Sequence, residues 1–332
     1  MSNAKEIQLA FLQKVKSTLS ETVSFVDELA DLLGTSTDST YRRLRGETFL
    51  GIDEIAAICA HFKVPFDSES KRSGETVTFS FNRLRDRKDG FADWLEAMSA
   101  DVKRIASIND SNILYAADDV PPWHHFNNDE LICFKIFYWQ KSILNTPELQ
   151  NKDFDTSLIP AQLISQAKEM LKDYNQVTSA EIWTEDTLNS TLKQIEYFWE
   201  SGFFQSKEVA IRMCDHIDAE IDLLKLKAEK QSKLVGDNES GAENFSLYQS
   251  EVMVGNNSIL VTLGKHKKMA YVSNNTFNMM STFDPGFITE NELWLKNLMN
   301  KSILISGVNE KQRNRFFKVL KEKIEAQRNR IK

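Results

Sequence analysis

Cysteine is nearly absent from this chain: Cys59, Cys133 and Cys214 are the only three in 332 residues. They stand far apart within apolar patterns and form no CxxC pair. This argues against paired-cysteine zinc or redox chemistry, and the thiols read as buried groups of a protein in a reducing cytoplasm. Long apolar runs are also missing. The longest, Leu131 to Leu144, is interrupted by Lys135, Gln140 and Lys141 and is too short to cross a bilayer, and no secretory segment follows the N-terminus. A cytoplasmic protein with no membrane partner is expected. The motifs that announce common enzymes are lacking too: there is no P-loop, no GxGxxG after a strand and no GxSxG. No enzyme activity, cofactor or metal is expected. Positive charge is not in excess either, since 48 acidic side chains face 41 basic ones for a net charge of −7, so any nucleic-acid contact must come from a local cluster.

What the chain does have is length for two or three domains, 41% apolar residues to fill their cores, and one highly patterned stretch from Val23 to Asp67. There, ELADLLG sets Leu29, Leu32 and Leu33 on one helical face, with Ala30 small enough for a second helix to cross closely. Gly34 suits the left-handed end of that helix, and Ser36 can cap the next by accepting a backbone N–H. In the second helix Thr40, Tyr41 and Leu44 are expected on the packing side. Asp38, Ser39, Arg42 and Arg45 are expected on the exposed side, with Arg43 at the boundary. A short helix, a tight turn and a second helix with a polar, basic face describe a DNA-reading helix-turn-helix.

On these residues the stretch resembles the Cro/repressor-type (XRE-like) helix-turn-helix family, and within it the BetR-type subgroup of bacterial regulators. The resemblance rests on Ala30, Gly34, the capping Ser36, Arg42 and the closing Arg45-Gly46-Glu47. It continues into a fourth helix carrying Ile52, Ile55, Ile58 and Phe62 with a Val-Pro-x-Asp exit. Thr40 and Arg43 depart from the family, which has aliphatic residues there. The resemblance covers about a fifth of the chain and implies a five-helix DNA-binding domain over residues 1–70, with Lys5 to Leu19 as its first helix. It also implies double-stranded DNA as partner and Ser36, Thr37, Asp38, Ser39, Arg42, Arg43 and Arg45 as DNA-binding residues.

Asp67 to Glu75 reads as a linker, and Thr76 to Phe81 alternates as a short strand. Beyond it the pattern is mostly helical: Phe91 to Ile105, Asp129 to Leu144 (apolar nearly all round), Ile159 to Tyr174, Thr187 to Phe203 and Ser206 to Leu234, with Asn112 to Ala116 strand-like. The last of these helices spaces Ala210, Cys214, Ile217, Ile221, Leu224 and Ala228 as a heptad-like seam, which serves either within its own domain or between two copies. Together with the two half-sites that a short reading helix usually needs, it predicts a homodimer. Asp118, Asp119, His124 and His125 place two carboxylates and two imidazoles within eight positions, but adjacent histidines rarely reach one ion, and no HExxH spacing supports a metal. The loop is expected instead to line a ligand pocket through Trp123, His124 and His125, beside the aromatic helix of Phe134, Phe137, Tyr138 and Trp139, making 76–234 a sensor or assembly domain for a small-molecule or protein effector.

After the polar connector ending VGDNESGAEN, strands are predicted over Phe245 to Val254, Ser258 to Leu263 and Lys268 to Ser273. Helices follow over Asn275 to Ser281, Thr289 to Asn300 and Glu310 to Ile331. From Glu310 to the end, nine basic residues face Glu310, Glu322 and Glu325. This basic face is read as solvated, as an auxiliary nucleic-acid contact, or as paired with an acidic partner domain. The expected fold is thus mainly α: an N-terminal five-helix helix-turn-helix domain, a helical middle domain, and a small C-terminal α+β module over 245–332. The expected function is sequence-specific transcriptional regulation. The rivals are a protein-interaction scaffold and an enzyme fused to a DNA-binding domain.

Overall fold

The computed structural model describes residues 4–17, 19, 24–62, 64, 66, 76–84, 90–234, 243–265, 267–275 and 277–331. The sequence-predicted linker at 67–75 lies outside them. The chain forms two compact units, Met1–Phe79 and Ser80–Lys332.

The first unit holds four helices among the described residues, where five were expected: α1 (Ala4–Ser17), α2 (Phe25–Leu33), α3 (Thr37–Leu44) and α4 (Ile52–Phe62). Their apolar faces meet in one core of Phe11, Leu12, Val15, Phe25, Leu29, Ile58 and Val64. The joints are set by local chemistry. Ser24 caps α2 by accepting from the Asp27 N–H, and Gly34 ends it in the left-handed conformation at φ 60°. Ser36 then caps α3 by accepting from the Ser39 N–H at 3.3 Å. Gln8, buried on α1, staples the far end: its Nε2 donates to the carbonyls of Arg43 and Thr48, and its Oε1 accepts from the Leu50 N–H, each at 2.8 Å.

The second unit overturns the mainly-α reading. It is built on an eight-stranded mixed sheet, in the order β1-β7-β6-β5-β2-β3-β4-β8. The strands are β1 (Ser80–Phe81), β2 (Asn112–Ala117), β3 (Thr178–Trp183), β4 (Phe245–Gln249), β5 (Ser258–Leu263), β6 (Lys267–Ser273), β7 (Met279–Thr282) and β8 (Ile303–Leu304). The pairs β2–β3 and β3–β4 are parallel, and β2–β5 is antiparallel. Segments assigned above to a helical middle domain and to a small C-terminal module therefore share one sheet. Two expectations fall with this, Met279–Thr282 as part of a helix and the α+β module as separate, and β3 occupies a stretch to which the sequence reading assigns no element.

Side-chain alternation divides the sheet into two buried faces. Ile113, Tyr115, Ala117, Trp183, Phe245, Leu247, Ile259 and Val261 join the large core built with the helices α5 (Gly90–Ser107), α6 (Asp129–Tyr138), α7 (Ala161–Gln176), α8 (Asn189–Glu200), α9 (Lys207–Lys230) and α11 (Glu310–Ile331). Ala116, Ile182, Leu260 and Ala270 face the other way, where Ile288, Leu295 and Leu298 of a single helix, α10 (Pro285–Asn300), cover them. The crossovers β2–β3 and β3–β4 carry α6–α7 and α8–α9. The heptad-like seam of α9 is buried in the large core, at no more than 2% exposure for any of its six members. Its two-copy use is excluded by α11, which packs along α9 and places Phe317, Leu320 and Ile324 in the same core.

No helix among the described residues is long and apolar enough to cross a membrane.

Candidate functional site

With Thr40 fully buried, the turn of α3 leaves Thr37, Asp38, Tyr41, Arg42 and Arg45 exposed in one row. Thr40 is fixed by its hydroxyl donating to the Ser36 carbonyl at 3.1 Å and by the Thr35 hydroxyl at the same distance. Tyr41, expected on the packing side, is 48% exposed and belongs to the row. Arg43 goes the other way. Its Nη2 lies 2.8 Å from Glu54, and its Nη1 donates to the carbonyl and hydroxyl of Ser39. Arg43 and Ser39 thus spend their polar atoms holding α3 to the first turn of α4 and drop out of the predicted reading set, while Ser36 is occupied as the cap.

Sequence reasoning missed Glu47. It takes Arg45 Nε at 2.7 Å and Nη2 at 3.2 Å, and lies 4.0 Å from Arg42 Nε. The hydrogen bond from Arg45 holds the Glu47 carboxyl below its ordinary pKa. Its place is set by the main chain: Gly46 at φ 67° lets its N–H bond the Arg43 carbonyl (3.0 Å) and the Glu47 N–H bond the Arg42 carbonyl (2.8 Å), the two bonds of a Schellman end. The signal was the Arg-Gly-Glu triplet just past the last periodic residue. Gly46→Ala is expected to destabilise the first unit by about 1–2 kcal/mol, because a Cβ is strained at that φ and would stand 2.8 Å from Lys5 Cγ. Urea unfolding followed by circular dichroism checks it, and an unchanged midpoint would contradict it.

In the second unit, Trp123, His124 and His125 lie on a 3₁₀ turn, Pro122–Asn127, and all three are buried. They line neither the groove at Lys225–Phe317–Lys321 nor the one at Glu130–Cys133–Ile164. The imidazoles are instead held by carboxylates. His124 Nε2 lies 3.0 Å from both oxygens of Glu181, a fully buried carboxylate in the middle of β3 that also accepts from the Tyr174 hydroxyl and, at 2.8 Å, from Trp183 Nε1. Trp123 stacks on Tyr174 at 4.4 Å. His125 Nδ1 meets Glu220 at 2.9 Å, and its Nε2 lies 3.4 Å from the Thr191 hydroxyl.

From Thr191 the hydrogen bonds continue through Lys135 Nζ (3.2 Å), Gln194 (2.7 Å) and Ser190 (3.3 Å) to Asp119 (3.0 Å), which is partly exposed where β2 ends. Asp118 and Asp119 are joined by Asn257, whose Oδ1 accepts from both their N–H groups. Among the described residues no three His, Cys, Asp or Glu side chains gather as metal ligands. A chain of polar groups running from a strand end to the centre of a core fixes the helices against the sheet.

Much of the basic face of α11 is spent inside its own unit. Lys321 pairs with Asp218 and Asp222, Arg328 with Asp215, Arg330 with Glu196, and Lys323 with Asp186. Arg313 is buried, donating to the carbonyls of Ile305 and Gly307.

No protein-family model matches the chain, and neither a curated protein nor a solved structure matches it.

Proposed function

We propose that this chain is a sequence-specific DNA-binding regulator whose first unit inserts α3 into a major groove. The observation that carries the reading is the row Thr37, Asp38, Tyr41, Arg42 and Arg45, exposed along a helix capped at its start by Ser36 and held from behind by Gln8 and Glu54. Hydrogen-bonding side chains on one face of a short, rigidly placed helix are what base-edge reading requires. Eight residues of helix reach few base pairs, so the reading includes a second copy on a second half-site. Since the α9 seam is used within its own unit, contact between copies would be made elsewhere. The second unit, about three times the first in length, is assigned to receiving an effector, and the scarcity and wide spacing of cysteine support a cytoplasmic setting.

Arg42→Ala and Arg45→Ala are each expected to lower affinity for a duplex selected from random DNA by about 1–3 kcal/mol where the arginine reads a base. Fluorescence anisotropy at fixed salt measures it. A folded double variant that binds the selected duplex as tightly as the parent would remove the assignment. A protein-interaction module using the same face is the second reading, favoured by the balance of Arg42 and Arg45 against Asp38 and Glu47. Absence of any salt-dependent DNA binding would select it.

A further inference from the structure

Two arginines at the end of α3 are each clamped by a glutamate, and they differ in what the clamp leaves over. Arg43 uses all three nitrogens, Nε and Nη2 on Glu54 and Nη1 on Ser39, and its side chain is 14% exposed. Arg45 gives Nε and Nη2 to Glu47, remains 55% exposed, and has no partner for Nη1 among the described residues. A guanidinium held along its Nε edge is fixed in plane and turns its Nη1–Nη2 end outward. That end is a two-donor fork, the complement of the O6 and N7 acceptors that guanine shows in the major groove.

The Schellman bonds of Gly46 and Glu47 fix the main chain that carries this carboxylate against the end of α3, so the glutamate starts from a set position beside Arg45. Its charge has a second effect. The exposed row with Glu47 carries two cations and two anions, so phosphates attract it weakly and discrimination falls to the bases.

We propose that Glu47 is a positioning residue that presents Arg45 end-on to a guanine, so that the DNA recognised carries a G·C pair at that step of each half-site. This rests on the DNA reading above and goes further by naming the base. Glu47 acts through Arg45 and touches no base.

The test compares the full-length parent with Arg45→Ala, Glu47→Gln and Glu47→Asp. Each is checked for folding by circular dichroism, then measured against the duplex the parent selects and its single-base variants at two salt concentrations. The parent is expected to prefer guanine at one position by about tenfold or more. Glu47→Gln should lose most of that preference while binding unselected duplex more tightly. Glu47→Asp, which keeps the charge but is too short for the two-point contact, should lose the preference while keeping the parent's weak binding to unselected duplex. Arg45→Ala should lose the preference with no gain in binding elsewhere. A guanine preference retained by either Glu47 variant overturns the positioning role. A selected sequence indifferent to Arg45 overturns this inference alone, whereas a parent that selects no sequence removes the DNA reading and the inference together.

Discussion

Ile217→Asp is expected to leave no soluble folded protein at 25 °C at any concentration. Ile217 is fully buried in the middle of α9, in a core shared with Phe317, Leu320 and Ile324 of α11. An unpaired carboxylate placed there either keeps its charge in an apolar medium or is neutralised at the cost of a large pKa shift, and a cavity remains beside it. Losses above about 4 kcal/mol come from this class of change, and a domain has only about 5–15 kcal/mol to lose. Ile217→Val, which removes one methyl, should cost about 0.5–1.5 kcal/mol and stay folded. Sedimentation decides the matter: a soluble, folded Ile217→Asp monomer would mean that the seam joins copies and that the packing of α9 on α11 is wrong.

Glu181→Ala should remove about 3–5 kcal/mol from the second unit, because it strips three buried donors of their acceptor: the Tyr174 hydroxyl, Trp183 Nε1 and the His124 imidazole. Urea unfolding followed by tryptophan fluorescence measures this, and a loss under about 1 kcal/mol would contradict it. Acid should act on the two buried imidazole–carboxylate clusters in two steps. Burial depresses the His125 imidazole below its ordinary 6.5 against the opposing pull of Glu220, with Lys135 adding to the depression and Asp119 resisting it. The unfolded chain then binds that proton more readily, so the contribution is complete above pH 6.5 and declines as the pH falls below it. Burial alone would raise the Glu181 carboxyl, but His124 and the hydrogen bonds from Tyr174 and Trp183 outweigh it and hold the group below its usual 4.5. Its contribution is present above pH 4.5 and is lost as the pH falls through the lower folded value. In Glu181→Ala the second step should vanish and the first should persist.

The first unit was readable because its punctuation is local. Gly34 and Ser36 mark a helix end and a helix start within three residues, whatever the rest of the chain does. Helical spacing set Arg42 and Arg45 outward, as found, but left Arg43 at the boundary. Arg42, Arg43 and Arg45 are chemically alike, and Glu54, eleven positions beyond Arg43, decides that Arg43 turns inward. The same holds for the histidines, whose carboxylates stand 57 and 95 positions away. A pair of imidazoles after Pro-Pro looks like an exposed loop until those partners are known. The sheet escaped for two reasons. Strand β3 carries an ionisable residue, Glu181, at its centre, which breaks the apolar signature of a buried strand and makes sense only with Tyr174, Trp183 and His124 around it. And β2 pairs with β5 from more than a hundred residues further on, so no window of neighbouring residues contains both.

That separation also orders events during synthesis. When β2 leaves the ribosome its antiparallel neighbour is about 140 residues from being made, and the helix that covers Ala116 and Ile182 comes later still, at Pro285–Asn300. At roughly 5–20 residues per second, the sheet face that α10 will cover stays bare for about ten seconds to half a minute. The nascent chain therefore spends that interval with β2 and β3 made but uncovered on one side, an aggregation-exposed window that a newly made molecule crosses once and a finished one never revisits without unfolding.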